Sequence, residues 1–253
     1  MTTRYKTKGF VFKKNNINES DRMFSVFTDD FGRLDIFAKA IRKTISKLRS
    51  GIDIFFMSEI EFIQGKNRKT LTDASIVEKF DNVWQDLEKF KIANKIGEIL
   101  DNFIKGEEKD EEIFILINEV MEKLNSQKPP RETTNQPLIF YYFLWNFFSI
   151  QGYRSEVQKC AGCHEKLNPY SVYFSSKEGG IICGNCAKLI KTCLEPCRRI
   201  NSDIVKILRL ILSKDWQVLS KLKIEKSSQK LLSEVSENAI HAFCPSVMHY
   251  KIA

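Results

Sequence analysis

The sequence predicts an α+β chain of more than one domain: a small closed β-barrel first, a helical bundle after it, and a four-cysteine module falling between helical segments. Three observations carry this. The apolar period changes from two to about 3.6 residues near Asn82, two Cys-x-x-Cys pairs occur late in the chain, and charge is segregated along it. Residues 1–80 carry 16 basic and 10 acidic side chains, residues 81–150 carry 8 and 13, and residues 151–253 carry 16 and 9, which together make the net +8. Basic surface therefore flanks an acidic middle, as suits a protein that meets phosphate backbones or other anions.

The first third reads as strands. Lys8, Phe10 and Phe12 alternate in one segment, Phe24 and Val26 in a second, Leu34 and Ile36 in a third, with Asp30-Phe31-Gly32 as the turn before it. A fourth strand covers Asp53 to Gln64 and a fifth Lys69 to Val77, joined by Gly65-Lys66-Asn67-Arg68. Five short strands within 80 residues point to a closed barrel, because closure removes exposed sheet edges.

From Asn82 the pattern turns helical. Trp84, Leu87, Phe90, Ile96, Ile99, Leu100 and Phe103 form one stripe, and Ile113, Ile117, Val120, Met121 and Leu124 another, followed by a Pro129-Pro130 loop. A third helix beginning after Pro137 is apolar on nearly all sides, which predicts the central helix of a bundle. Two more are predicted over Ser202 to Lys221 and Ser227 to Phe243.

Cys160-Ala161-Gly162-Cys163 and Cys183-Gly184-Asn185-Cys186 are separated by nineteen residues, the spacing of a four-cysteine zinc site. Two residues between cysteines let one turn deliver both thiolates to one ion, and a glycine there relieves backbone strain. Four thiolates leave no coordination position for water, so one structural zinc per chain is expected, holding a fold and doing no catalysis. Tyr170 to Phe174 and Gly179 to Cys183 read as a hairpin between the pairs. Cys193 and Cys197, four apart, are either substitute ligands or bystanders; His164 faces solvent and Cys244 fills the core.

Lys39, Arg42, Lys43, Lys47 and Arg49 place five cations in eleven residues without an acid, assisted by Lys13 and Lys14 on the neighbouring turn. A charge run alone reads equally as a solvated face; beside a small barrel it reads as a track for phosphates. Catalysis is not expected. The three histidines, His164, His241 and His249, lack a paired nucleophile or carboxylate, and Gly65-Lys66 has Ile60 and Asn67 where a phosphate loop needs Gly and Ser or Thr, so no nucleotide cofactor is expected. The start of the chain, Met1 to Phe10, is charged, and the apolar run Leu138 to Ile150 is broken by Asn146 and Ser149, short of the roughly 20 residues of a membrane span. A soluble, reduced, intracellular setting without membrane contact follows as the expectation.

Asn18-Glu19-Ser20-Asp21-Arg22, Phe27-Thr28-Asp29-Asp30-Phe31-Gly32-Arg33-Leu34, Ala38-Lys39-Ala40-Ile41-Arg42-Lys43 and Ser46-Lys47-Leu48-Arg49-Ser50-Gly51 resemble the amino-terminal domain of the RecO family. Gly152-Tyr153, Tyr173-Phe174-Ser175 and Gly179-Gly180, flanking the cysteine pairs, continue the resemblance. It implies an OB-fold barrel over residues 1–80, a helical domain over 81–157 and 193–253, and a zinc-finger module over 158–192 inserted in that domain. It also implies a bacterial, cytoplasmic, nucleoid-associated mediator of DNA repair and recombination. Such a protein binds single- and double-stranded DNA, anneals complementary strands, contacts the acidic tail of single-strand-binding protein, and with RecR loads RecA. By the resemblance Arg33 joins Lys39, Arg42, Lys43, Lys47 and Arg49 in the DNA track. The competing reading is another zinc-ribbon accessory factor that binds nucleic acid.

Overall fold

The computed structural model describes residues 3–126, 136–168, 170–190, 197–244 and 252. The chain divides into two compact units, Met1–Lys128 and Pro129–Ala253. The expected Pro129-Pro130 loop, Cys193 and His249 lie outside the described residues.

The first unit opens with β1 (Arg4–Asn16), β2 (Arg22–Thr28), β3 (Gly32–Ala38), a 3-10 turn (Lys47–Ser50), β4 (Met57–Gln64) and β5 (Lys69–Glu78). These close into a barrel of order β1-β2-β3-β5-β4, the five-stranded topology of an OB-fold. β1 is long enough to pair β4 through Arg4 to Phe10 and β2 through Gly9 to Asn16, with a register shift between Val11 and Lys13 that bends it around the closure. All pairings are antiparallel except β3 with β5, where Ile36 faces Lys69 and Phe37 faces Thr70. Val11, Phe24, Val26, Leu34, Ile36, Ile60, Phe62 and Leu71 fill the interior.

A second apolar layer lies outside the barrel wall. Phe10 stacks on Phe55 at 6.3 Å and meets the edge of Phe80 at 6.5 Å. Phe55 and Phe80 hold left-handed backbone, φ 62° and 53°, a strained state for a bulky residue that burial of both rings offsets. The helices of this unit are α1 (Asp81–Gln85), α2 (Leu87–Phe103) and α3 (Glu111–Ser126). α2 lies against β1 at Gly97, where any Cβ would come within 2.7 Å of the Phe12 carbonyl oxygen.

The first helical stripe is shorter than its sequence pattern. Asp86 ends α1 and caps α2, accepting from the Glu88 and Lys89 amides at 2.9 and 3.2 Å, so the helix restarts there. Trp84 and Leu87 therefore stay 38% and 68% exposed, and the buried face is Ile92, Ala93, Ile96, Gly97, Ile99 and Leu100. The α3 stripe is buried as predicted.

In the second unit α4 (Gln136–Ile150) is central, every residue from Leu138 to Phe148 being buried. The buried side-chain amide of Asn146 donates to the Tyr142 and Ile211 carbonyls, and the Trp145 indole donates to Ser236 Oγ at 3.1 Å. A small sheet of order β7-β6-β8 is built from β6 (Val172–Ser175), β7 (Gly180–Cys183) and β8 (Arg198–Ile200), with α5 (Gly184–Ile190) following β7. β6 and β7 are the expected hairpin. The helix expected over Ser202 to Lys221 is two helices, α6 (Ser202–Leu212) and α7 (Trp216–Leu219), because Lys214 turns left-handed at φ 58° and Asp215 caps the new helix through the Val218 amide. α8 (Lys226–Phe243) completes the unit.

Candidate metal centre and nucleic-acid interface

Cys160 and Cys163 sit on a knuckle pinched shut by a bridge between Lys159 and Lys166, with the Cys160 amide donating to the Glu165 carbonyl at 2.9 Å. Cys183 ends β7 and Cys186 lies in the first turn of α5. The Ala161 amide donates to the Ile181 carbonyl at 2.8 Å and ties the knuckle to that strand. The four sulfurs then lie within 4.8 Å of one another, with Cys163 Sγ 3.8 Å from Cys183 Sγ. Thiolates bound at ~2.3 Å to one tetrahedral ion are about 3.8 Å apart, so the donor set fits a single metal.

Backbone amides reinforce the fit. Cys163 and Cys183 donate to Cys160 Sγ at 3.5 and 3.2 Å, and Cys186 donates to Cys183 Sγ at 3.5 Å. Burial pushes the Cys160 thiol up, but the amides of Cys163, Cys183 and Gly162 outweigh it and bring the group down to about 6. Burial and the neighbouring sulfurs push Cys186 strongly up. The Glu165 amide pulls Cys163 down, yet the Cys160 sulfur and burial leave it raised. Four thiols so close cannot all ionise alone; a divalent cation removes that repulsion.

The glycines have a different role from the one expected. Neither Gly162 nor Gly184 is left-handed; a Cβ on Gly162 would stand 3.2 Å from Cys186 Sγ, and one on Gly184 2.2 Å from Ser171 Oγ. They provide space, and the left-handed residue of the knuckle is His164 at φ 62°, its side chain exposed. Cys197 packs against the cluster without joining the four, and Cys244 is buried.

The barrel registers gather several basic groups at one end. Asn16 pairs with Arg22, Arg22 with Ala38, Phe37 with Thr70 and Gln64 with Lys69, so the β1–β2 turn, the start of the β3–β4 connection and the β4–β5 loop share that end. The connection is pinned to the turn: the Ala40 amide donates to Asp21, and Arg42 donates through its amide to the Ser20 carbonyl and through Nη1 to the Asn18 carbonyl. The Ala40 amide, then Asn18, hold the Asp21 carboxyl below its ordinary value. Lys39, Arg42, Lys43, Lys47 and Arg49 are all exposed along this connection.

Sequence reasoning missed Lys66 and Arg68, read only as a turn. Arg68 brings its guanidinium carbon 3.7 Å from the centroid of the buried Phe37 ring, two residues before Lys39 in the chain. The signal that could have found them is the barrel itself, whose fourth connection is a ligand loop in OB-folds.

Three expected track residues are placed differently. Lys13 pairs with Asp101 at 2.7 Å and Lys14 with Asp53 at 2.5 Å. Arg33 is only 12% exposed; it pairs with Asp101 at 2.8 Å, donates to the carbonyls of Asp101 and Ile104, and lies over the Phe12 ring. Its guanidinium thus satisfies the carboxyl end of α2, where helix carbonyls lack partners. Burial pushes the Asp101 carboxyl up, but Lys13 and then Arg33 together outweigh it and hold the group below its ordinary range.

The helical unit carries a groove of about 500 Å³ between α6 and the segment leading into α8, lined by Ile207, Leu210, Leu222 and Ile224 together with Lys206, Lys223, Asp203 and Glu225, Lys206 lying 3.6 Å from Asp203. Arg209 also borders it and donates to the Val157 carbonyl at 2.8 Å. Among the described residues no helix is long and apolar enough to cross a membrane.

A five-stranded barrel with a basic end, followed by a helical unit bearing a four-thiolate metal module, defines a class of nucleic-acid-handling proteins. Residues 1–80 match the family model for the Recombination protein O N terminal region and residues 84–242 the one for the C terminal region. Over 238 residues the chain is 33% identical to the DNA repair protein RecO of Dehalococcoides mccartyi strain 195, covering 94% of this chain and 88% of that protein. The RecO of Caldanaerobacter subterraneus is 26% identical over 90% of each chain, and that of Alkaliphilus metalliredigens 26% identical over 93% and 92%. The chain belongs to the RecO family.

Proposed function

We propose that this protein is a non-enzymatic DNA repair and recombination mediator, cytoplasmic and nucleoid-associated. In this reading residues 1–80 form the nucleic-acid-binding domain, 81–157 and 193–253 the helical domain, and 158–192 the inserted module. It binds single- and double-stranded DNA, anneals complementary strands and, with RecR, helps load RecA onto DNA coated by single-strand-binding protein. The observation that carries the reading is the gathering of Lys39, Arg42 and Lys43 with Lys66 and Arg68 at one end of the barrel, with Lys47 and Arg49 further along the same connection.

Bringing two polyanions together costs repulsion. Cations that replace the counterions of both backbones lower that cost without any bond being made or broken, so annealing needs no catalytic side chain and no nucleotide. Lys13 and Lys14 are paired to Asp101 and Asp53, and Arg33, at the opposite end of β3 from the basic connection, is taken up by Asp101 and the Ile104 carbonyl. The metal is zinc, which suits a closed set of four thiolates; when bound it supplies the cross-link that holds the module folded. The acidic, apolar-ended tail of single-strand-binding protein suits the apolar groove of Ile207, Leu210, Leu222 and Ile224, with Lys223 as its cation, Lys206 being paired to Asp203.

The test is annealing of complementary strands coated with single-strand-binding protein. Arg42→Glu with Lys43→Glu should abolish annealing and lower the salt dependence of DNA binding, while Lys226→Glu with Lys230→Glu should lose less. Equal losses would move the binding face to the carboxyl end. Lys223→Glu should weaken binding of a tail peptide while leaving naked-DNA affinity unchanged.

A further inference from the structure

In the barrel unit the most exposed large apolar side chain among the described residues is Ile45, 88% exposed. A single surface isoleucine is ordinary. This one stands at the middle of the basic connection, with Arg42, Lys43 and Thr44 before it and Ser46, Lys47 and Arg49 after it.

The connection is held at both sides of that tip. Ile41 and Ile52 are buried in the barrel core and Leu48 packs against it. Between these anchors the chain folds through successive turns: the Lys43 amide donates to the Ala40 carbonyl at 3.1 Å, Ser46 to Lys43 at 3.0 Å, and Gly51 to Leu48 at 3.1 Å. Leu48, three residues on, finds the core; Ile45 does not, and it projects from a braced loop whose other exposed groups are polar or cationic.

A strand whose phosphates lie on these cations passes its bases across the tip. An isoleucine there has no donor or acceptor with which to read a base, but its apolar surface can leave water by entering between two bases, as the apolar wedges of architectural DNA-bending proteins do. We propose that Ile45 inserts among the bases of bound single-stranded DNA and holds neighbouring bases unstacked. This rests on the reading of the basic connection as the DNA track. It gives the loop a contribution to affinity that is independent of salt and of sequence, and it leaves base edges open for a complementary strand.

The experiment uses the full chain and a mixed-sequence single strand carrying one internal 2-aminopurine, whose fluorescence rises when its neighbours unstack. Wild type should brighten the probe at saturation. Ile45→Ser, which removes an exposed side chain and so leaves the fold intact, should weaken binding by up to about tenfold with an unchanged slope of affinity against salt. It should also fail to brighten the probe at saturation, and Ile45→Phe should restore both. Lys43→Glu should instead reduce the salt slope. If Ile45→Ser binds and brightens like wild type while Lys43→Glu weakens binding, insertion is wrong and the basic track stands. If neither variant changes anything, the track and the insertion fall together.

Discussion

The barrel and the four-cysteine module solve the same problem with different means. The barrel encloses a continuous apolar interior from Val11 to Leu71 and adds an outer layer of Phe10, Phe12, Phe55 and Phe80. The module has a core of Cys160, Ile182 and Ala187, with half-buried neighbours. Surface-to-volume scaling makes a core of that size inadequate by itself below roughly 40 residues, which is where metals substitute for hydrophobic burial. The barrel is therefore expected to be indifferent to chelation and the module to depend on it.

The largest effect should come from breaking the metal site. Cys183→Ser, or prolonged chelation, should unfold the module, since structural zinc binding is worth about 10–16 kcal/mol of apparent free energy. Limited proteolysis should then cut within residues 158–190 while the barrel resists and keeps residual DNA binding. Elemental analysis of reduced protein should find one metal per chain, and its absence would overturn the centre.

Next in size is the half-buried ion pair between β3 and α2. Arg33→Ala removes one of the two cations on the Asp101 carboxylate and the side-chain donor to the Ile104 carbonyl, while Lys13 and Lys105 keep the Asp101 carboxylate and carbonyl partnered. It should cost about 1–3 kcal/mol in urea unfolding. Its salt slope for DNA binding should match wild type. A lowered slope with unchanged stability would return Arg33 to the DNA track.

The same pair sets an acid limit on the barrel. Asp101 is depressed in the folded protein, so its contribution is present above the unfolded carboxylate value of about 3.9 and is lost as pH falls through the lower folded value. The stability difference between wild type and Asp101→Asn should shrink across that interval, and a difference that is constant with pH would show that Asp101 is not coupled to folding.

The smallest effect lies in the module. His164→Gly relieves a left-handed residue and should stabilise by about 0.5 kcal/mol, strain relief being partly offset by the freer unfolded chain. A loss of stability there would mean that the His164 side chain supports the knuckle.

The two regions also differ in how far they were legible. The cysteine centre could be read from spacing because a knuckle is local: three residues decide where both sulfurs point. Arg33 could not, because its partner lies 68 residues away and only packing of α2 against β1 brings them together. Lys66 and Arg68 were hidden for a similar reason, since a parallel pairing of β3 with β5 is what carries their loop beside Phe37. β8 is three residues long and carries no period of its own. The break in the α6 stripe falls on Lys214, a residue with no intrinsic preference for the left-handed region it occupies.

What the sequence determined by itself was whatever depends on neighbours in the chain: the five strands, the helical period after Asn82, the two cysteine pairs and the run of cations without an acid. Tertiary structure alone decided which cations stay in solvent and which are consumed by the fold. A guanidinium pairs with whatever carboxylate or carbonyl packing delivers to it, and that choice is made by contacts between residues far apart in the chain.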